Sequence, residues 1–569
     1  MTQVCVPLMV EDHSEALRDA ILAAELGADL VEFRVDVFFE DRSDEEKNTV
    51  EMLQDRIDRV LDLVEVSPLP CIVTCRPHWE GGEYHGDDDE RVALFEALGT
   101  SDTPPAYIDV ELATYTRSKN IRQKINLAVN HPKQVRAVTT RLILSAHDFE
   151  GRPSDLTRKI IEMQDEPACS IVKIAYRARS IRDNLELFEI LADRQKPTIA
   201  LCMGEFGIMS RILAPKFGGF LTFASLRDES TTAPGQITID ELINLYRFRS
   251  ITPTTKVYGI IGWPVTQSMS PMVHNAGFEQ IGWDGVYVPM PVEGSYESFK
   301  ATMHSLIDHQ GFDFVGASIT IPHKSHLTEF AATPSNYITA RVMGESETKK
   351  FSKLHGSANT YFHDGYVWSN EGKSGWQSEG QFIFNTDTTA ISQLVPELLS
   401  DLNEQTITII GAGGVARAAA YASLELGSIV QICNRSTERA QKLCDELMSN
   451  REPTWEGRVR TIPTAGLNSH SADLYINCTP VGMIDGPDPD GLSIPIPDMD
   501  QLAPETVFFD TVYNPIETPM LKTAKERGYR TIDGVQMFVK QAEAQFEIWT
   551  GQTAPENLFD RLVREKLSS

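Results

Sequence analysis

A lysine and a histidine in the first half of this sequence stand where carbonyl chemistry can occur. Lys173 lies in the apolar run SIVKIAY, and His147 ends the run LILSAHDF. Because burial disfavours the charged form of a lysine, we expect a neutral amine that can attack a ketone. An imidazole can exchange protons near neutral pH. Together the two residues predict elimination next to a ketone, by way of an imine.

Further charged side chains stand at the ends of other apolar runs. Arg76 and Arg211 offer guanidinium forks for a substrate carboxylate. Taken singly, a lysine in a strand is more often an edge residue, and a histidine is more often structural. Charges within apolar strands are costly to bury unless they pair or react, so the ordered set favours chemistry. The set comprises Glu32, Arg34, Asp36, Arg76, Glu80, Asp109, Glu111, His147, Asp148, Lys173, Arg211 and Gln236.

The elements that must position this set alternate between apolar runs and amphipathic stretches. Helical spacing marks most connections, for example Ser14–Leu26 and Asp183–Arg194. Strands separated by helices over about 250 residues predict a (β/α)8 barrel, whose active site lies at the carboxyl ends of the strands. The predicted strands are Gln3–Leu8, Leu30–Asp36, Cys71–Arg76, Tyr107–Leu112, Leu142–Phe149, Ile171–Tyr176, Thr198–Met203 and Leu221–Ser225.

The first half resembles the type I 3-dehydroquinate dehydratases over about residues 2–248. The matching segments occur in that family's order: ADLVEFRVD, CIVTCRPHWEGGEY, YIDVEL, SAHDFEGRPS, VKIA, the pairs Met203-Gly204 and Ser210-Arg211, and TAPGQ. The resemblance implies that Lys173 forms an imine with 3-dehydroquinate and that His147 abstracts the proton and assists loss of water. Glu80 would orient His147 or the leaving hydroxyl. The implied substrate-binding residues are Glu32, Arg34, Arg76, Arg211, Gln236 and Thr232, the last in place of the family's usual Ser.

A glycine-rich turn in the second half predicts a dinucleotide site. Gly411, Gly413 and Ala416 form G-x-G-x-x-A between the apolar run TITII and an Ala-rich helix. Such glycines allow the backbone to approach a pyrophosphate at the helix N-terminus. An NAD-preferring site places Asp or Glu at the end of the next strand, but this chain has Arg435 there and Arg439 one turn later. Two guanidiniums favour the 2′-phosphate of NADP, whereas a purely solvated role for Arg435 leaves the missing acid unexplained.

Hydroxyl groups and a second lysine lie upstream of this glycine-rich turn. Ser268 and Ser270 lie in a polar turn before a helix that we expect to begin near Pro271. Hydroxyls at a helix N-terminus suit a carboxylate, although simple capping is the alternative. Lys324 follows GASITIPH, and Asp387 follows FIFNT. A lysine that faces an aspartate beside a nicotinamide can exchange the proton that accompanies hydride transfer.

The second half resembles shikimate dehydrogenase over about residues 256–552. The matches are S-x-S-P-x-x-H-N at Ser268–Asn275, ITIPHK, GSANT, NTD, GAGGVARA, NRS, NCTPVGM, DTVYNPIETPML and GVQMFVKQAEAQFEIWTG. The resemblance implies that Lys324 is the acid–base residue, with Asp387 as its partner. It implies a carboxylate site of Ser268, Ser270 and Tyr513, and ring-hydroxyl contacts from Thr320, Asn359, Asp387 and Gln541. The implied NADP contacts are Gly411, Ala412, Gly413, Gly414, Val415, Ala416, Asn434, Arg435, Ser436, Arg439, Thr479, Met483, Gly534 and Met537.

Joined in this order, the halves resemble the fused bifunctional enzyme of the shikimate pathway. The resemblance implies conversion of 3-dehydroquinate to 3-dehydroshikimate, then NADPH-dependent reduction to shikimate. Ser318 stands where single-function dehydrogenases usually have Asn, and the segments Arg341–His355 and Gly365–Gln381 are longer than in compact members. These departures leave open a second half that reduces 3-dehydroquinate to quinate. Two further alternatives are a non-catalytic sensor of the same metabolites and a chain with one working half.

Composition limits the partners. The chain has 569 residues and a formal net charge of -29, which argues against nucleic acid or an anionic membrane surface. No apolar run of about 18 residues occurs, and the N-terminus has no basic or transit-like character, so we expect a cytoplasmic protein. The eight scattered cysteines suit reduced thiols. Neither Cys71 with Cys75 nor His323 with His326 has a further ligand at metal spacing, so we expect no metal.

The predicted fold class is α/β, with four segments. They are a barrel over residues 1–250, a substrate-binding domain over 256–390, a Rossmann-like NADP domain over 391–533, and a C-terminal helical segment over 534–569 that returns to the substrate-binding domain. A Pro/Thr-rich linker lies near Arg249–Lys256. Further predicted elements are the strands Ile429–Cys433, Leu474–Asn477 and Val507–Asp510, and a helix over about Val535–Trp549.

Overall fold

A computed structural model describes most of the chain. The described residues are 1–40, 50–129, 138–227, 236–333, 336, 338–340, 357–363, 380–399, 402–449, 455–464, 467, 471–493 and 502–568. Thr232 and nearly all of the two long segments singled out in the sequence lie outside these residues. The chain divides into two compact units, Met1–Thr255 with Val288–Pro291 and Asp308–Gly311, and the remainder from Lys256. No helix within the described ranges is long and apolar enough to cross a membrane.

The first unit is an eight-stranded parallel barrel, as predicted. Its strands are β1 (Gln3–Met9), β2 (Leu30–Arg34), β3 (Cys71–Thr74), β4 (Tyr107–Glu111), β5 (Arg141–Asp148), β6 (Cys169–Arg177), β7 (Thr198–Met203) and β8 (Leu221–Phe223). Each strand pairs with the next, and β8 pairs with β1. The ladder is open only between β7 and β8, where Phe220 N donates to Thr198 O. The barrel is therefore nearly closed.

Helices connect the barrel strands. They are α1 (His13–Glu25), α2 (Asp36–Glu40), α3 (Val50–Val66), α4 (Asp88–Thr100), α5 (Leu112–Arg117), α6 (Lys119–Ala128), α7 (Leu156–Asp165), α8 (Asp183–Ala192) and α9 (Ile208–Ile212). Asp12 caps α1 by accepting a hydrogen bond from Glu15 N. Short apolar side chains, including Cys5, Ile143 and Ile199, fill one cluster of the barrel core. Buried charged residues instead occupy inward positions toward the carboxyl ends of the strands.

The second unit begins with a mixed sheet. Its strands are β9 (Lys256–Gly262), β10 (Gly285–Pro291), β11 (Phe314–Ile319), β12 (Ile338–Ala340), β13 (Thr360–His363) and β14 (Gln381–Phe384), in the order β10-β9-β11-β13-β14-β12. The β13 strand runs antiparallel to β11 and β14. Its described helices are α10 (Ser270–Gln280), α11 (Tyr296–Asp308), α12 (Lys324–Ala332) and α13 (Thr386–Leu394).

A second sheet in this unit is wholly parallel. Its strands are β15 (Thr406–Ile410), β16 (Ile429–Cys433), β17 (Val459–Ile462), β18 (Leu474–Asn477), β19 (Val507–Asp510) and β20 (Arg530–Ile532), in the order β17-β16-β15-β18-β19-β20. Its helices are α14 (Gly414–Glu425), α15 (Thr437–Ser449) and α16 (Pro519–Glu526). The order, in which the chain reverses direction across β15, is that of a doubly wound nucleotide-binding fold. The expected Rossmann-type fold is confirmed.

The C-terminal helices α17 (Gly534–Thr550) and α18 (Leu558–Ser568) pack against the first sheet of this unit. Phe546 and Trp549 share an apolar core with Tyr258 of β9 and Val273 of α10. Trp549 Nε1 also donates to the carbonyl of Tyr361 at 3.0 Å. These contacts fix α17 beside the strands that carry the polar side chains described below.

Candidate active sites

Lys173 lies inside the barrel, on the inward face of β6, with its side chain 6% exposed. Its Nζ donates to Asp109 at 2.7 Å and to Glu32 at 3.3 Å. The ring of Phe223 lies 4.7 Å from Nζ on another side. Burial of the amine was predicted, but the sequence did not indicate two carboxylate partners. Nζ therefore occupies a charged cluster rather than a purely apolar pocket.

His147 and Glu80 form a pair beside this lysine. Glu80 ends a short 3-10 turn, and its Oε2 lies 3.0 Å from Nδ1 of His147. Burial lowers the pKa of His147 well below its usual value, and the positive charges of Arg76 and Lys173 lower it further. Burial also raises the pKa of Glu80, against the opposing effect of Arg76. The imidazole is therefore neutral near pH 7 and can accept a proton.

Arg76 and Arg211, which the sequence offered as equivalent forks, have different surroundings. Arg76 donates to Glu111 at 2.8 Å and to Ser145 at 2.9 Å, and its Nη2 lies 3.0 Å from Asp109. These partners already engage much of its guanidinium. Substrate binding by Arg76 stays a prediction, while its contacts give it a second role in holding the carboxylates of β4.

Arg211 is 2% exposed and has no carboxylate partner among the residues that the structure describes. Its Nη1 makes one long contact of 3.4 Å with the carbonyl of Phe223, and its Nε has no partner within the described ranges. Burial lowers the pKa of Arg211 to about 10. A buried guanidinium without an acid is suited to a ligand carboxylate.

One pocket brings these groups together at the carboxyl ends of the strands. Arg34 lines it while held by two hydrogen bonds of 2.9 Å to Asp36, and Gln236 lines it from beyond β8. The lining residues are Pro7, Glu32, Arg34, Arg76, Glu80, Gly81, His147, Phe149, Lys173, Ala175, Leu201, Met203, Arg211, Phe223 and Gln236. Every described residue to which the family resemblance gave a role in this site is among them, whereas the other members of the charged set, Asp36, Asp109, Glu111 and Asp148, are not.

Lys324 and Asp387 form the centre of a second pocket, in the second unit. Lys324 begins α12 and Asp387 lies in the first turn of α13, with Nζ and Oδ2 2.5 Å apart. The other carboxylate oxygen accepts from Asn359 Nδ2 at 3.0 Å. Asn359 is itself held by Thr386 N, which donates to Oδ1 at 2.8 Å. The carboxylate is therefore fixed on one side and paired with the amine on the other.

Hydroxyl and amide groups surround this pair. Ser268 Oγ accepts a hydrogen bond from Ser270 N, and α10 begins at Ser270 rather than Pro271, with Met269 as its N-cap residue and no side-chain cap. The pocket is lined by Ile260, Ser268, Ser270, Ser318, Ile319, Thr320, Lys324, Asn359, Asp387, Val415, Thr511, Tyr513, Gly534, Met537, Phe538, Gln541 and Gln545. All the predicted substrate contacts of this unit therefore meet at one place.

The glycine turn after β15 fits a dinucleotide phosphate. Gly411 has φ 120°, and a Cβ there would lie 2.8 Å from the carbonyl of Cys478. A Cβ on Gly413 would meet nothing within 4 Å, so open space lies at the N-terminus of α14. Gly414 lies close to Lys324, whose Cδ would be 3.3 Å from an added Cβ. Backbone amides with space before them, next to Lys324, suit a pyrophosphate and the attached nicotinamide.

Cationic side chains follow β16, as the sequence indicated. Arg435 and Arg439 are exposed, and no ion pair joins either guanidinium to a carboxylate within the part of the chain that the structure describes. Asn434 Nδ2 donates to the carbonyl of Ser436, and Ser436 Oγ accepts from Arg439 N. The turn is thereby ordered, with both guanidiniums available to a phosphate.

The remaining predicted cofactor contacts differ in their placement. Val415, Gly534 and Met537 line the Lys324 pocket, and Ala412 and Ala416 belong to the glycine turn and the first turn of α14. Thr479 lies in the turn after β18, where its hydroxyl donates to Asn477 at 2.7 Å. Met483 is 37% exposed and does not line the pocket. Contact between Met483 and a nicotinamide stays a prediction.

Comparison with known proteins finds two enzyme families in succession along the chain. The family description "Type I 3-dehydroquinase" matches residues 4–253. Descriptions of shikimate dehydrogenase match three further segments: its substrate binding domain at 260–344, "Shikimate / quinate 5-dehydrogenase" at 393–456, and its C-terminal domain at 534–564. A chloroplastic bifunctional 3-dehydroquinate dehydratase/shikimate dehydrogenase from Arabidopsis thaliana is 35% identical over 581 aligned positions, 98% of this chain and 84% of the relative. The chain belongs to this bifunctional family.

Two further relatives resemble only the dehydrogenase unit. A shikimate dehydrogenase (NADP(+)) from Methanocella arvoryzae is 29% identical over 55% of this chain and 99% of its own length. A shikimate dehydrogenase solved in complex with NADP+ is 29% identical, with a TM-score of 0.46, over 56% of this chain and 98% of its own. The name of the Methanocella relative gives NADP(+) as its cofactor.

Both sites contain residues to which the sequence gave no specific role. In the dehydratase site, Asp109 and Ser145 stand beside Lys173 and Arg76. The alternation in YIDVEL, which turns Asp109 and Glu111 to the same face of β4, was the available signal. In the dehydrogenase site, Gln545 lies one helical turn after Gln541 on α17, a spacing that places both on one face.

Ser318, known from the sequence only as a departure from the usual Asn, has a defined place in the dehydrogenase site. Its Oγ accepts from the hydroxyl of Tyr287 at 2.7 Å and donates to Gln545 Oε1 at 2.8 Å. Gln545 Nε2 in turn donates to Thr360 Oγ1 at 3.0 Å. The smaller side chain is thus compensated by hydrogen bonds from β10 and α17, which keep this wall of the pocket polar and fixed.

Proposed function

We propose that the barrel pocket dehydrates 3-dehydroquinate through an imine on Lys173, and that the Lys324 pocket reduces the resulting 3-dehydroshikimate to shikimate with NADPH. The observation that carries the proposal is the presence of two separate amine sites, each next to a different acid–base partner. Lys173 stands beside the His147–Glu80 pair, and Lys324 beside Asp387 at the glycine turn.

Dehydration requires an amine, a base and a carboxylate anchor. Lys173 forms a C–N bond to the ketone carbon, and the ketone oxygen leaves as water. Neutral His147 then takes the proton next to the imine carbon and returns it to the departing hydroxyl. The contact of Glu80 with Nδ1 orients the ring for both transfers. These roles are supported by the low pKa of the imidazole and by its place in the pocket lining.

Arg211 is the best candidate for the substrate carboxylate in the dehydratase site. Its burial and its lack of an acidic partner among the described residues support this role. Glu32, Arg34, Arg76 and Gln236 would then contact ring hydroxyls, and Thr232 stays a predicted contact outside the described residues. A single unpaired guanidinium fixes one end of the substrate, so the ketone faces Lys173.

Reduction requires a proton donor placed opposite the hydride donor. Lys324 gives the proton to the alkoxide that develops on the substrate, and Asp387 holds the amine in position. Ser268, Ser270 and Tyr513 would bind the carboxylate at the N-terminus of α10. Thr320, Asn359, Asp387 and Gln541 would contact the ring hydroxyls, since all of them line the same pocket.

NADPH, when bound, supplies the hydride. The residues that would hold it are the glycine turn from Gly411 to Ala416, the β16 turn from Asn434 to Arg439, and Thr479, Gly534 and Met537. Arg435 and Arg439 would bind the 2′-phosphate and so select NADPH over NADH. The open space before Gly413 and the exposed guanidiniums support this assignment.

The proposed domains are the barrel over 1–250, the substrate-binding lobe over 256–390, the NADP lobe over 391–533 and a C-terminal segment over 534–569. The packing of α17 against β9 and α10 supports the return of the last segment to the substrate-binding lobe. A cytoplasmic location stays a prediction.

Reductive trapping tests the first activity. Borohydride added with 3-dehydroquinate should leave a covalent adduct on Lys173, which peptide mapping locates. An adduct on another lysine would contradict the imine assignment. Product analysis with NADPH tests the second activity: shikimate supports the proposal, whereas quinate formed without the dehydrated intermediate would assign a quinate dehydrogenase instead.

A further inference from the structure

Two buried carboxylates on β4 differ in one contact. Asp109 and Glu111 lie two positions apart on the same face, are both fully buried, and both pair with Arg76. Glu111 makes its other ion pair with Arg91, away from the amine. Asp109 instead contacts Nζ of Lys173 at 2.7 Å. Glu111 is therefore a matched control for Asp109, since it shares the strand face, the burial and the contact with Arg76.

Asp109 is held as a permanent anion. Its Oδ2 contacts both Lys173 Nζ and Arg76 Nη2, and its Oδ1 accepts from Ser145 Oγ at 2.5 Å. Burial alone would raise the pKa of Asp109, but the charges of Arg76 and Lys173 outweigh it and hold the pKa well below the usual value. With contacts to three neighbours, the carboxylate has little freedom to move away from Nζ.

Imine formation changes the number of N–H groups at Nζ without changing its charge. An ammonium and a ketone give a protonated imine and water, so one positive charge is present before and after. The ammonium has three N–H groups, two of which serve Asp109 and Glu32. The protonated imine keeps one. Only one of the two carboxylates can then retain its hydrogen bond to Nζ.

The surroundings decide which of the two carboxylates retains the hydrogen bond to Nζ of Lys173. Asp109 is nearer to Nζ than Glu32, at 2.7 Å against 3.3 Å, and it does not line the pocket. Glu32 does line the pocket, and Thr74 Oγ1 already donates to its Oε1 at 2.7 Å. We propose that Asp109 is the counter-ion of the protonated imine and sets the direction of its N–H, while Glu32 is released to accept from a substrate hydroxyl. This inference rests on the proposed imine chemistry of Lys173.

The test compares Asp109→Asn with Glu111→Gln in the full-length chain. Each variant is incubated with 3-dehydroshikimate and cyanoborohydride, without NADPH, over roughly pH 5 to 10. Mass spectrometry then measures the adduct on Lys173. Cyanoborohydride reduces the protonated imine, so loss of adduct at high pH reports loss of the imine proton. An opposite charge in contact typically shifts such a titration by about one to three pH units.

We expect the alkaline loss of adduct in Asp109→Asn to occur at least about one pH unit below wild type, with Glu111→Gln unchanged. Dehydration kcat should fall about tenfold or more in Asp109→Asn. Coincident profiles for wild type and both variants would overturn the counter-ion role. Absence of a Lys173 adduct in wild type would instead refute the imine chemistry on which the inference rests.

If Asp109→Asn fails to fold, we attribute the failure to a buried cation that has lost its anion. Two double variants, called the balanced pair, then replace the single variants: Asp109→Asn/Arg76→Gln and Glu111→Gln/Arg76→Gln. Each double variant removes one anion and one cation. The same downward shift is expected only in the variant that lacks Asp109. Equal profiles for the balanced pair would overturn the proposal.

Discussion

Asp387 accepts from Asn359 through one carboxylate oxygen and pairs with Lys324 through the other, at 3.0 Å and 2.5 Å. Asn359 is anchored in turn by Thr386 N, in the first turn of the helix that carries Asp387. The direction of the carboxylate is thus set by the protein before any ligand binds. Lys324 is consequently held in one place while the ligand contacts it.

Replacing each of the two lysines proposed as catalytic should separate the two activities. Lys324→Ala removes the proton donor and is expected to lower shikimate oxidation by about a thousandfold, with dehydration of 3-dehydroquinate nearly unchanged. Lys173→Ala should have the reverse effect. Each variant serves as the control for the other in separate assays of the two reactions. Loss of both reactions in a folded single variant would contradict the two-site account.

Arg211 should control dehydroquinate binding more than turnover. Its guanidinium lacks a carboxylate partner among the described residues, so Arg211→Met removes a charged contact available to the substrate. We expect KM for 3-dehydroquinate to rise about tenfold to a hundredfold. Arg211→Lys, which keeps the charge without the fork, should recover part of the loss. An unchanged KM in steady-state kinetics of Arg211→Met would exclude Arg211 as the anchor.

Much of the architecture could be predicted because it depends on local pattern. The strands Ile429–Cys433, Leu474–Asn477 and Val507–Asp510 occur with the predicted bounds, since each is a short apolar run between turn residues. Contacts between distant residues could not be predicted. Asp109 meets Lys173 across 64 positions, and Ser318 meets Gln545 across 227. Spacing along the chain carries no information about such pairs.

The same lack of information about distant contacts explains why the sequence could not distinguish the surroundings of Arg76 from those of Arg211. The sequence placed both at strand ends of one barrel and so made them equivalent, which was wrong for Arg211: Arg76 follows β3, whereas Arg211 lies in the helix α9. The structure places Arg76 within reach of Asp109 and Glu111 and leaves Arg211 without an acid among the described residues. A residue type predicts what a side chain can bind, whereas the fold determines which of its partners is already present.

Asp510 should make the stability of the dehydrogenase unit depend on pH. Its buried carboxyl accepts from Asn477, Val512 N and Thr518, but burial outweighs these bonds and raises its pKa to about 6. A carboxyl whose pKa is raised on folding contributes stability at low pH that is lost as pH rises through about 6. Asp510→Asn should therefore gain stability relative to wild type between roughly pH 4 and 7, on the order of 1–3 kcal/mol. Thermal unfolding at several pH values measures it, and parallel curves for the two proteins would refute the prediction.

Arg435 and Arg439 should determine cofactor preference. Removing both guanidiniums in Arg435→Ala/Arg439→Ala deletes the groups proposed to bind the 2′-phosphate. We expect KM for NADPH to rise about tenfold or more, with KM for NADH little changed. NADH is the internal control, since it lacks the phosphate. A wild-type enzyme that prefers NADH, or a variant that loses both cofactors equally, would contradict the assignment.

The most direct test of the central claim uses the purified full-length chain with 3-dehydroquinate and NADPH as the only reactants. NADPH absorbance is followed, and the product is identified by mass spectrometry. We expect consumption of NADPH with shikimate as the product, because the barrel must first dehydrate the substrate for the second site. Consumption with quinate as the product, or no consumption while 3-dehydroshikimate is reduced normally, would contradict it.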